Sequence, residues 1–393
     1  MGHRRLASVL LCVMALTACA SGDKRPDGIA CPTTDILYPV NADIGATVDT
    51  RAMTRGARTF ADALTDTMVQ PDAVRIARPE RRSLLTLSGG GQWGAYGAGF
   101  LNGWTTYGPR PPFDVVTGVS TGALIAPFAF LGPDFDGVIE QAYTIDKESD
   151  LVRERGFWAI FGNAFLDRSG LEALVSSVVA DTGLLDKLRS AGPGRGLFIG
   201  IVDADSGAFF VVDLLALARS DRISEEERES CFKAYLLAST SVPAAFPPVF
   251  IDDRDGPRDK PRMFVDGGAR QTVFYEDIET SVARMIDADA NADLYVVING
   301  DLRVPEVHTG NNLLGIALRA SNIVVDQVSL TSLDRLVQRG RGEGWTVRYT
   351  TARGHGCDEA AKESKGSHFN PAFMRCLLEY GEQRWTTQTP WDR

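Results

Sequence analysis

Short apolar runs alternate with helical patterns through most of this chain, and this alternation restricts the possible fold more than any other feature. Four runs, each bounded by glycine or polar turns, predict buried strands: residues 83–87, 113–116, 197–202 and 294–298. Helical patterns between successive strands are typical of a largely parallel sheet that helices cover on both faces. Residues 208–214 are predicted to pair antiparallel with residues 197–202, through a polar turn at residues 203–207.

The first residues differ in composition from the rest of the chain. Arg4 and Arg5 precede an apolar run at residues 6–18, which is too short to span a bilayer and predicts an export signal over residues 1–18. The run ends in Leu-Thr-Ala-Cys, which resembles the bacterial lipobox. This resemblance implies a fatty acyl anchor on Cys19 and a place in the cell envelope. Ala20 follows this cysteine where Asp would favour retention at the inner membrane, so we predict the outer membrane, facing the periplasm. A plainly secreted protein is the alternative.

Residues 19–81 are polar and interrupted by prolines, which predicts a tether and an N-terminal extension. Within them, residues 56–69 have a helical spacing of apolar side chains. The whole chain has a formal net charge of -10 and no cluster of Lys and Arg, so the sequence argues against a nucleic-acid partner.

Four cysteines remain after the predicted signal and the lipobox cysteine: Cys31, Cys231, Cys357 and Cys376. In an oxidising compartment four cysteines allow three pairings. A bridge between Cys357 and Cys376 is the local choice, because it closes a short loop. Four free thiols are the alternative.

A Gly-x-Ser-x-Gly motif, formed by Gly118, Ser120 and Gly122, follows the strand predicted at residues 113–116. An apolar helical pattern over residues 123–131 comes next. A serine between a strand and a helix lies in a strained turn that small neighbours permit, and its hydroxyl points outward. The motif therefore predicts a nucleophilic serine, with a structural turn as the alternative.

A second glycine-rich turn, Ser-Gly-Gly-Gly-Gln-Trp-Gly, joins the first predicted strand to a helix rich in small residues. The backbone N–H groups of Gly89, Gly90 and Gly91 predict an anion site at the mouth of this helix, suited to an oxyanion. With Gly94, the same residues also fit a dinucleotide fingerprint. That fingerprint needs an acidic residue at the far end of the second strand, whereas Asp114 lies at its near end.

A serine nucleophile needs a base, and the usual base is histidine. Beyond the predicted signal the chain has three histidines, all late in the sequence: His308, His355 and His368. By contrast, Asp266 ends an apolar run and precedes Gly267 and Gly268, which permit the close approach of another loop. We therefore predict Asp266 as the base, with an ordinary Asp-Gly-Gly turn as the alternative.

The three glycine-rich turns, in this order, resemble those of the patatin-like phospholipase family. The stretch Ala-Ser-Thr-Ser-Val-Pro-Ala-Ala-Phe-Pro-Pro at residues 238–248 and the hairpin end Val-Val-Asp-Leu at residues 211–214 support the resemblance. It covers about residues 82–273 and implies a three-layer α/β/α sandwich with a mostly parallel central sheet. The catalytic domain is then expected over residues 82–350, followed by a C-terminal tail over residues 351–393.

The resemblance also implies hydrolysis of lipid acyl esters through a Ser–Asp dyad. In this dyad Ser120 is the nucleophile and Asp266 the general base, while Gly89, Gly90 and Gly91 donate N–H groups to the oxyanion. The expected partner is a phospholipid or another acyl ester, and the expected activity is that of a phospholipase A, a lysophospholipase or a carboxylesterase. A dyad needs no cofactor, and no metal is expected because Cys and His are not clustered at ligand spacing.

Two other functions stay open at this stage. One is an α/β-hydrolase esterase with a Ser-His-Asp triad that uses His308 or His355. The other is a non-catalytic, lipid-binding lipoprotein.

Two aromatic features have more than one interpretation. The family's glycine loop commonly carries a basic residue where this chain has Trp93, which either lines an acyl groove or packs beneath the loop. The aromatic stretch from Phe157 to Phe165 is either a lid that faces lipid or part of the core.

Overall fold

A computed structural model describes residues 25–40, 60, 81–155, 164–256, 260–274, 291–303, 309–311, 313–342, 344–362 and 368–392. Its strands are β1 Ile29–Cys31, β2 Leu37–Pro39, β3 Arg81–Leu87, β4 Val115–Val119, β5 Arg153–Glu154, β6 Leu166–Asp167, β7 Gly196–Asp203, β8 Phe209–Asp213, β9 Val249–Asp253, β10 Arg262–Asp266, β11 Asn291–Ile298 and β12 Thr346–Thr351. Its α-helices are α1 Gly94–Tyr107, α2 Thr121–Leu131, α3 Asp136–Tyr143, α4 Ser169–Asp181, α5 Leu184–Arg189, α6 Leu214–Arg219, α7 Glu225–Ser239, α8 Leu313–Gly342, α9 Asp358–Lys362 and α10 Pro371–Gln383.

Ten of these strands form one sheet in the order β1-β9-β10-β7-β4-β3-β11-β12, with β8 paired to β7 and β2 paired to β8. The central strands β7, β4, β3, β11 and β12 are all parallel. The hairpin of β7 and β8 is antiparallel, as are the pairs of β10 with β7 and with β9. The carboxyl ends of the central strands therefore lie along one edge, which we call the site edge.

The sheet separates two cores, because successive side chains of a strand point to opposite faces. In β3, Leu85 and Leu87 pack on the face that α1, α2, α7 and α10 cover. Leu84 packs on the other face, together with Leu333 and Leu336 of α8. Helices thus flank both faces of a mostly parallel sheet, which confirms the fold class predicted from the sequence.

Segments from both ends of the chain pack on this body. Strands β1 and β2 belong to the predicted N-terminal extension, and a disulfide joins Cys31 of β1 to Cys231 of α7. A second disulfide joins Cys357 to Cys376 of α10. The residues predicted as a C-terminal tail also contribute aromatic side chains to the packing, since Trp385 stacks on Trp104 of α1 with ring centroids 5.1 Å apart.

Several predicted features fall outside the described residues. They are the lipobox cysteine Cys19, His308, most of the aromatic stretch from Phe157 to Phe165, and the helix at residues 56–69 apart from Phe60. Phe60 is buried and packs edge to face on Phe198 of β7, with ring centroids 4.9 Å apart. In the part of the chain that is described, no helix is both long and apolar enough to cross a membrane.

Candidate active site

The register of three strands brings Ser120 and Asp266 together. On one side of β7, Val119 at the end of β4 pairs with Gly200, and Asp266 at the end of β10 pairs with the next residue, Ile201. Since β8 occupies the other side of β7, strands β4 and β10 run toward each other on the same side and meet at their carboxyl ends. The residue that follows Val119 is Ser120, so the two predicted catalytic side chains lie at one point of the sheet.

Ser120 occupies the strained turn that the sequence predicts. Its φ of 53° and ψ of -124° lie where non-glycine residues are uncommon. A Cβ on Gly118 would lie 2.4 Å from the carbonyl oxygen of Gly122, and a Cβ on Gly122 would lie 2.3 Å from that of Leu87. Both positions therefore require glycine, because β4, α2 and the end of β3 approach each other too closely for a side chain.

The backbone of Ser120 is held by Ser239, a residue of α7 to which the sequence analysis gave no role. The Ser120 N–H donates to the Ser239 Oγ at 3.0 Å, and this Oγ donates in turn to the Gly200 carbonyl oxygen at 2.8 Å. Ser239 is completely buried. Its hydroxyl therefore ties the turn at Ser120 to the middle of β7, between the ends of β4 and β10.

Replacing Ser239 by Ala is expected to lower kcat about tenfold or more with little change in KM. The change leaves the buried Ser120 N–H without an acceptor, at a cost of about 1–3 kcal/mol, and frees the turn that positions the predicted nucleophile. Steady-state kinetics on a soluble aryl ester would measure kcat and KM. Ser177→Ala in α4 is the control, since Ser177 is exposed and bonds only within its own helix. An unchanged kcat in a folded Ser239→Ala protein would contradict this role.

Asp266 is a buried carboxyl group with one free oxygen. Its Oδ1 accepts the Gly268 N–H at 2.7 Å, while Oδ2 is inaccessible to water and has no partner of ordinary hydrogen-bond geometry. Burial raises the pKa of Asp266 to about 7, and the Ser120 hydroxyl and the Gly268 N–H, which both favour the ionised form, oppose this rise. Oδ2 is therefore the oxygen available to Ser120, and hydrogen bonds of this kind often tighten only when substrate is bound.

The raised pKa of Asp266 predicts an acid limb in the activity profile. A general base works only when ionised, so kcat/KM should fall about tenfold for each pH unit below about 7. A carboxylate with an ordinary pKa would hold its activity down to about pH 5. The measurement is kcat/KM for a soluble ester between about pH 4.5 and 9, and a profile that is flat to pH 5 would contradict this environment for Asp266.

The raised pKa of Asp266 also makes the stability of the folded protein depend on pH, whether or not the protein turns over substrate. The carboxyl group ionises at its ordinary pKa in the unfolded chain but only near pH 7 in the folded chain. The free energy of unfolding therefore falls as pH rises from the ordinary pKa of an aspartate to about 7. Asp266→Asn should therefore raise the unfolding temperature at pH 8 and leave it almost unchanged at pH 4.

The glycine-rich loop lies directly over Ser120. A Cβ on Gly89 would come within 3.1 Å of the Ser120 Cβ. The Gly89 N–H, however, donates to the Thr272 carbonyl oxygen at 3.3 Å. The prediction that all three glycines offer a free donor is therefore corrected to two, Gly90 and Gly91, whose N–H groups bond to no backbone carbonyl of the described residues.

Asn299, which follows β11, clamps the glycine-rich loop and was not identified from the sequence. Its Nδ2 donates to the Ser88 carbonyl oxygen at 2.7 Å, and its backbone N–H donates to the Ser88 Oγ at 2.8 Å. A Cβ on Gly90 would lie only 1.9 Å from the Asn299 carbonyl oxygen. The loop thus rests on Asn299, and Gly90 has no room for a side chain.

The buried side-chain oxygens without a hydrogen-bond partner among the described residues include Asp266 Oδ2, Thr272 Oγ1 and Asn299 Oδ1. Buried polar atoms are almost always paired, and unpaired ones are common at functional sites. Of the three, Asp266 Oδ2 belongs to the predicted base, whereas Asn299 Oδ1 faces α1, since a Cβ on Gly97 would lie 2.3 Å from it.

The remaining predicted glycines lie where contacts are tight. A Cβ on Gly94 would lie 2.2 Å from the Thr121 Oγ1, and one on Gly267 would lie 2.5 Å from the Gly200 carbonyl oxygen. A Cβ on Gly268 would lie 3.0 Å from the Asp266 Oδ1. The three glycine-rich turns therefore pack against one another around Ser120 and Asp266.

The C-terminal segment supports the glycine-rich loop from outside. The Trp93 ring meets those of His355 and Phe373 edge to face, with centroids 5.3 and 5.0 Å apart. The Asn370 N–H donates to the Gln92 Oε1 at 2.9 Å. Trp93 is thus a packed aromatic residue that stays half exposed.

The hydrogen bonds of the two described histidines go to residues other than Ser120 and Asp266. The His355 Nδ1 accepts the N–H of Cys357, and the His368 N–H donates to Glu148. Asp114, the first acidic residue after the dinucleotide-like fingerprint, accepts a hydrogen bond from Arg82 at the edge of the sheet opposite the site edge. Among the described residues, no group of three or more His, Cys, Asp or Glu side chains could hold a metal ion.

Comparison with known proteins gives one family. The model described as Patatin-like phospholipase matches residues 85–277, which include all three glycine-rich turns. No curated protein matches the chain. Among solved structures, the chain is similar to the crystal structure of VipD from Legionella pneumophila, at 12% sequence identity and a TM-score of 0.38, over 79% of this chain and 67% of VipD.

Proposed function

Residues 85–277 belong to the patatin-like phospholipase family, and from this we propose that the chain hydrolyses acyl esters of phospholipids, with Ser120 as nucleophile and Asp266 as its general base. The observation that carries the proposal is the meeting of β4 and β10 on β7. It sets a serine in a strained turn beside a buried carboxyl group whose pKa of about 7 suits both the uptake and the release of a proton.

In the first half of the reaction, the Ser120 Oγ attacks the ester carbonyl carbon as its proton passes to the Asp266 Oδ2. The carbonyl oxygen becomes an oxyanion, which the free N–H groups of Gly90 and Gly91 stabilise. When the intermediate collapses, the bond to the alcohol oxygen breaks and Asp266 returns its proton to that oxygen. The products are a free lysolipid or alcohol and an acyl group on Ser120.

In the second half, Asp266 takes a proton from a water molecule that attacks the acyl-serine carbonyl carbon. The second tetrahedral intermediate breaks the bond to Ser120 Oγ, which recovers the proton from Asp266, and the fatty acid leaves. One carboxyl group thus serves both halves, and this cycle requires no histidine and no metal.

The test is product analysis with purified protein on mixed phospholipid vesicles and on short aryl esters. We expect fatty acid and lysophospholipid from the vesicles, and the Ser120→Ala protein should release neither. An esterase that cleaves aryl esters but no phospholipid would reduce the proposal to carboxylesterase activity. Equal activity in the wild-type and Ser120→Ala proteins would reject Ser120 as the nucleophile.

We further propose that Cys19 carries a lipid anchor in the cell envelope. The lipobox-like motif and the preceding apolar run support this proposal.

A further inference from the structure

Helix α8 has an outer face that is apolar where solvent-exposed helices are ordinarily polar. Among the positions of α8 whose side chains are described, the exposed ones up to Leu330 follow one helical stripe: Ile316, Ala320, Ile323, Val324, Gln327 and Leu330. Ile316 and Val324 are 52% and 55% exposed. Of the six large hydrophobic side chains exposed in the described part of the chain, four belong to this stripe.

The charged residues do not interrupt the stripe. Between positions 316 and 330 the only ones are Arg319 and Asp326, and both lie half buried on the flank of the helix. After Leu330 the exposed positions become polar, with Thr331, Asp334 and Arg335. Among the described side chains of α8, the apolar face therefore ends at Leu330.

The first half of α8 lies at the site edge. The helix follows β11, precedes the parallel strand β12 and therefore runs back from the site edge, while Leu333 and Leu336 in its second half pack on the sheet. At 30 residues it is about 45 Å long, whereas the eight residues of β11 extend about 26 Å, so its first half projects beyond the edge. Helix α8 also contacts residues Gly267–Ala269, which follow the catalytic Asp266.

The described N-terminal residues begin at the same edge. Arg25 binds Asp205 in the turn after β7 and donates to the Pro261 carbonyl oxygen, beyond the end of β4. Cys19 precedes Arg25 by six residues, which reach at most about 22 Å when extended. A lipid on Cys19 would therefore hold the bilayer near the site edge.

On the basis of the function proposed above, we propose that the apolar face of α8 (Ile316, Ala320, Ile323, Val324 and Leu330) docks on the surface of a lipid bilayer. This docking turns the site edge toward the phospholipid substrate. An apolar helical face without charges inserts among acyl chains and does not need anionic headgroups. This fits a chain with a net charge of -10, which anionic surfaces and a second copy of the chain both repel.

The test uses full-length protein with Cys19→Ser, so that no lipid anchor contributes to binding. In this background, Ile316→Gln, Ile323→Gln and Val324→Gln are combined, and Tyr107→Gln serves as the control. Tyr107 is equally exposed, at 55%, but ends α1 at the opposite edge. Partitioning onto phosphatidylcholine vesicles is measured by sedimentation, in low and in high salt, alongside hydrolysis of vesicle phospholipid and of a soluble aryl ester.

We expect the triple variant to lose at least about tenfold in vesicle partitioning and in vesicle hydrolysis, with unchanged turnover of the soluble ester. High salt and Tyr107→Gln should have no effect. Vesicle binding equal to that of the parent would overturn the proposal. So would a change in oligomeric state of the lipid-free triple variant, because the face would then be covered by a second copy.

The experiment distinguishes failure of the docking proposal from failure of the proposed function. Sedimentation measures docking without catalysis, so its result stands whether or not the protein is active. If the parent and Ser120→Ala proteins are equally inactive on the soluble ester, the proposed function fails while the docking result remains.

Discussion

Asp266→Asn is expected to lower the turnover of a soluble aryl ester by about 10²- to 10⁴-fold in a protein that folds normally. Asparagine keeps the shape of the side chain, and its Oδ1 can still accept the Gly268 N–H. What it lacks is the second carboxylate oxygen, the buried Oδ2 that is proposed to take the Ser120 proton. The loss therefore measures the general base and not the packing.

The histidines supply the control for this experiment. In a triad the imidazole takes the serine proton, so removing it should be as damaging as Ser120→Ala. In the proposed dyad, replacing His308, His355 and His368 together by Ala should leave most of the activity. Turnover of Ser120→Ala, Asp266→Asn and the triple histidine variant is compared after circular dichroism has established that each is folded. A folded histidine variant as inactive as Ser120→Ala would contradict the dyad.

The sequence was informative wherever the cause of structure is local. The Gly-x-Ser-x-Gly turn could be predicted because the strain at Ser120 and the crowding at Gly118 and Gly122 arise within a few residues. The strand before it begins at Val115 and not at Phe113, since backbone pairing with the neighbouring strands sets its start. Apolar content alone does not carry that information.

The supporting residues could not be predicted, because their roles depend on register between distant segments. Ser239 bonds to Ser120 across 119 positions, and Asn299 reaches Ser88 across 211. The stretch around Ser239 supports the family resemblance, but nothing in it indicates which hydroxyl accepts a hydrogen bond from the Ser120 N–H. Likewise, the Gly89 N–H donates to the Thr272 carbonyl oxygen, and no local sequence pattern predicts this hydrogen bond.

The last residues illustrate the limit of composition as a guide. Residues 351–393 are predicted as a C-terminal tail, yet α10 has a regular apolar face that includes Phe373, Leu377 and Leu378. That face packs in the same core as α1 and so reaches the glycine-rich loop. Helical periodicity was the available signal, and it marks this segment as part of the folded body.

Gly90→Ala is expected to lower kcat by about 10²- to 10³-fold, as loss of one oxyanion donor typically does. A Cβ at this position would lie 1.9 Å from the backbone carbonyl oxygen of Asn299, so the loop must move away from its support. In the proposed reaction, the N–H groups of Gly90 and Gly91 would then be displaced from the oxyanion. Since the ester is bound by other contacts, KM should change little.

The matched control for Gly90→Ala is Gly137→Ala in α3, where an added Cβ meets nothing within 4 Å and the activity should not change. If Gly90→Ala does not fold, Asn299→Ala tests the same loop, because it removes the Nδ2 that holds the Ser88 carbonyl oxygen and leaves Gly90 in place. We expect this second variant to lose about tenfold or more in kcat, as for other lost buried hydrogen bonds. Normal kcat in a folded Gly90→Ala or Asn299→Ala protein would show that the glycine-rich loop only connects β3 to α1, and that the oxyanion is stabilised elsewhere.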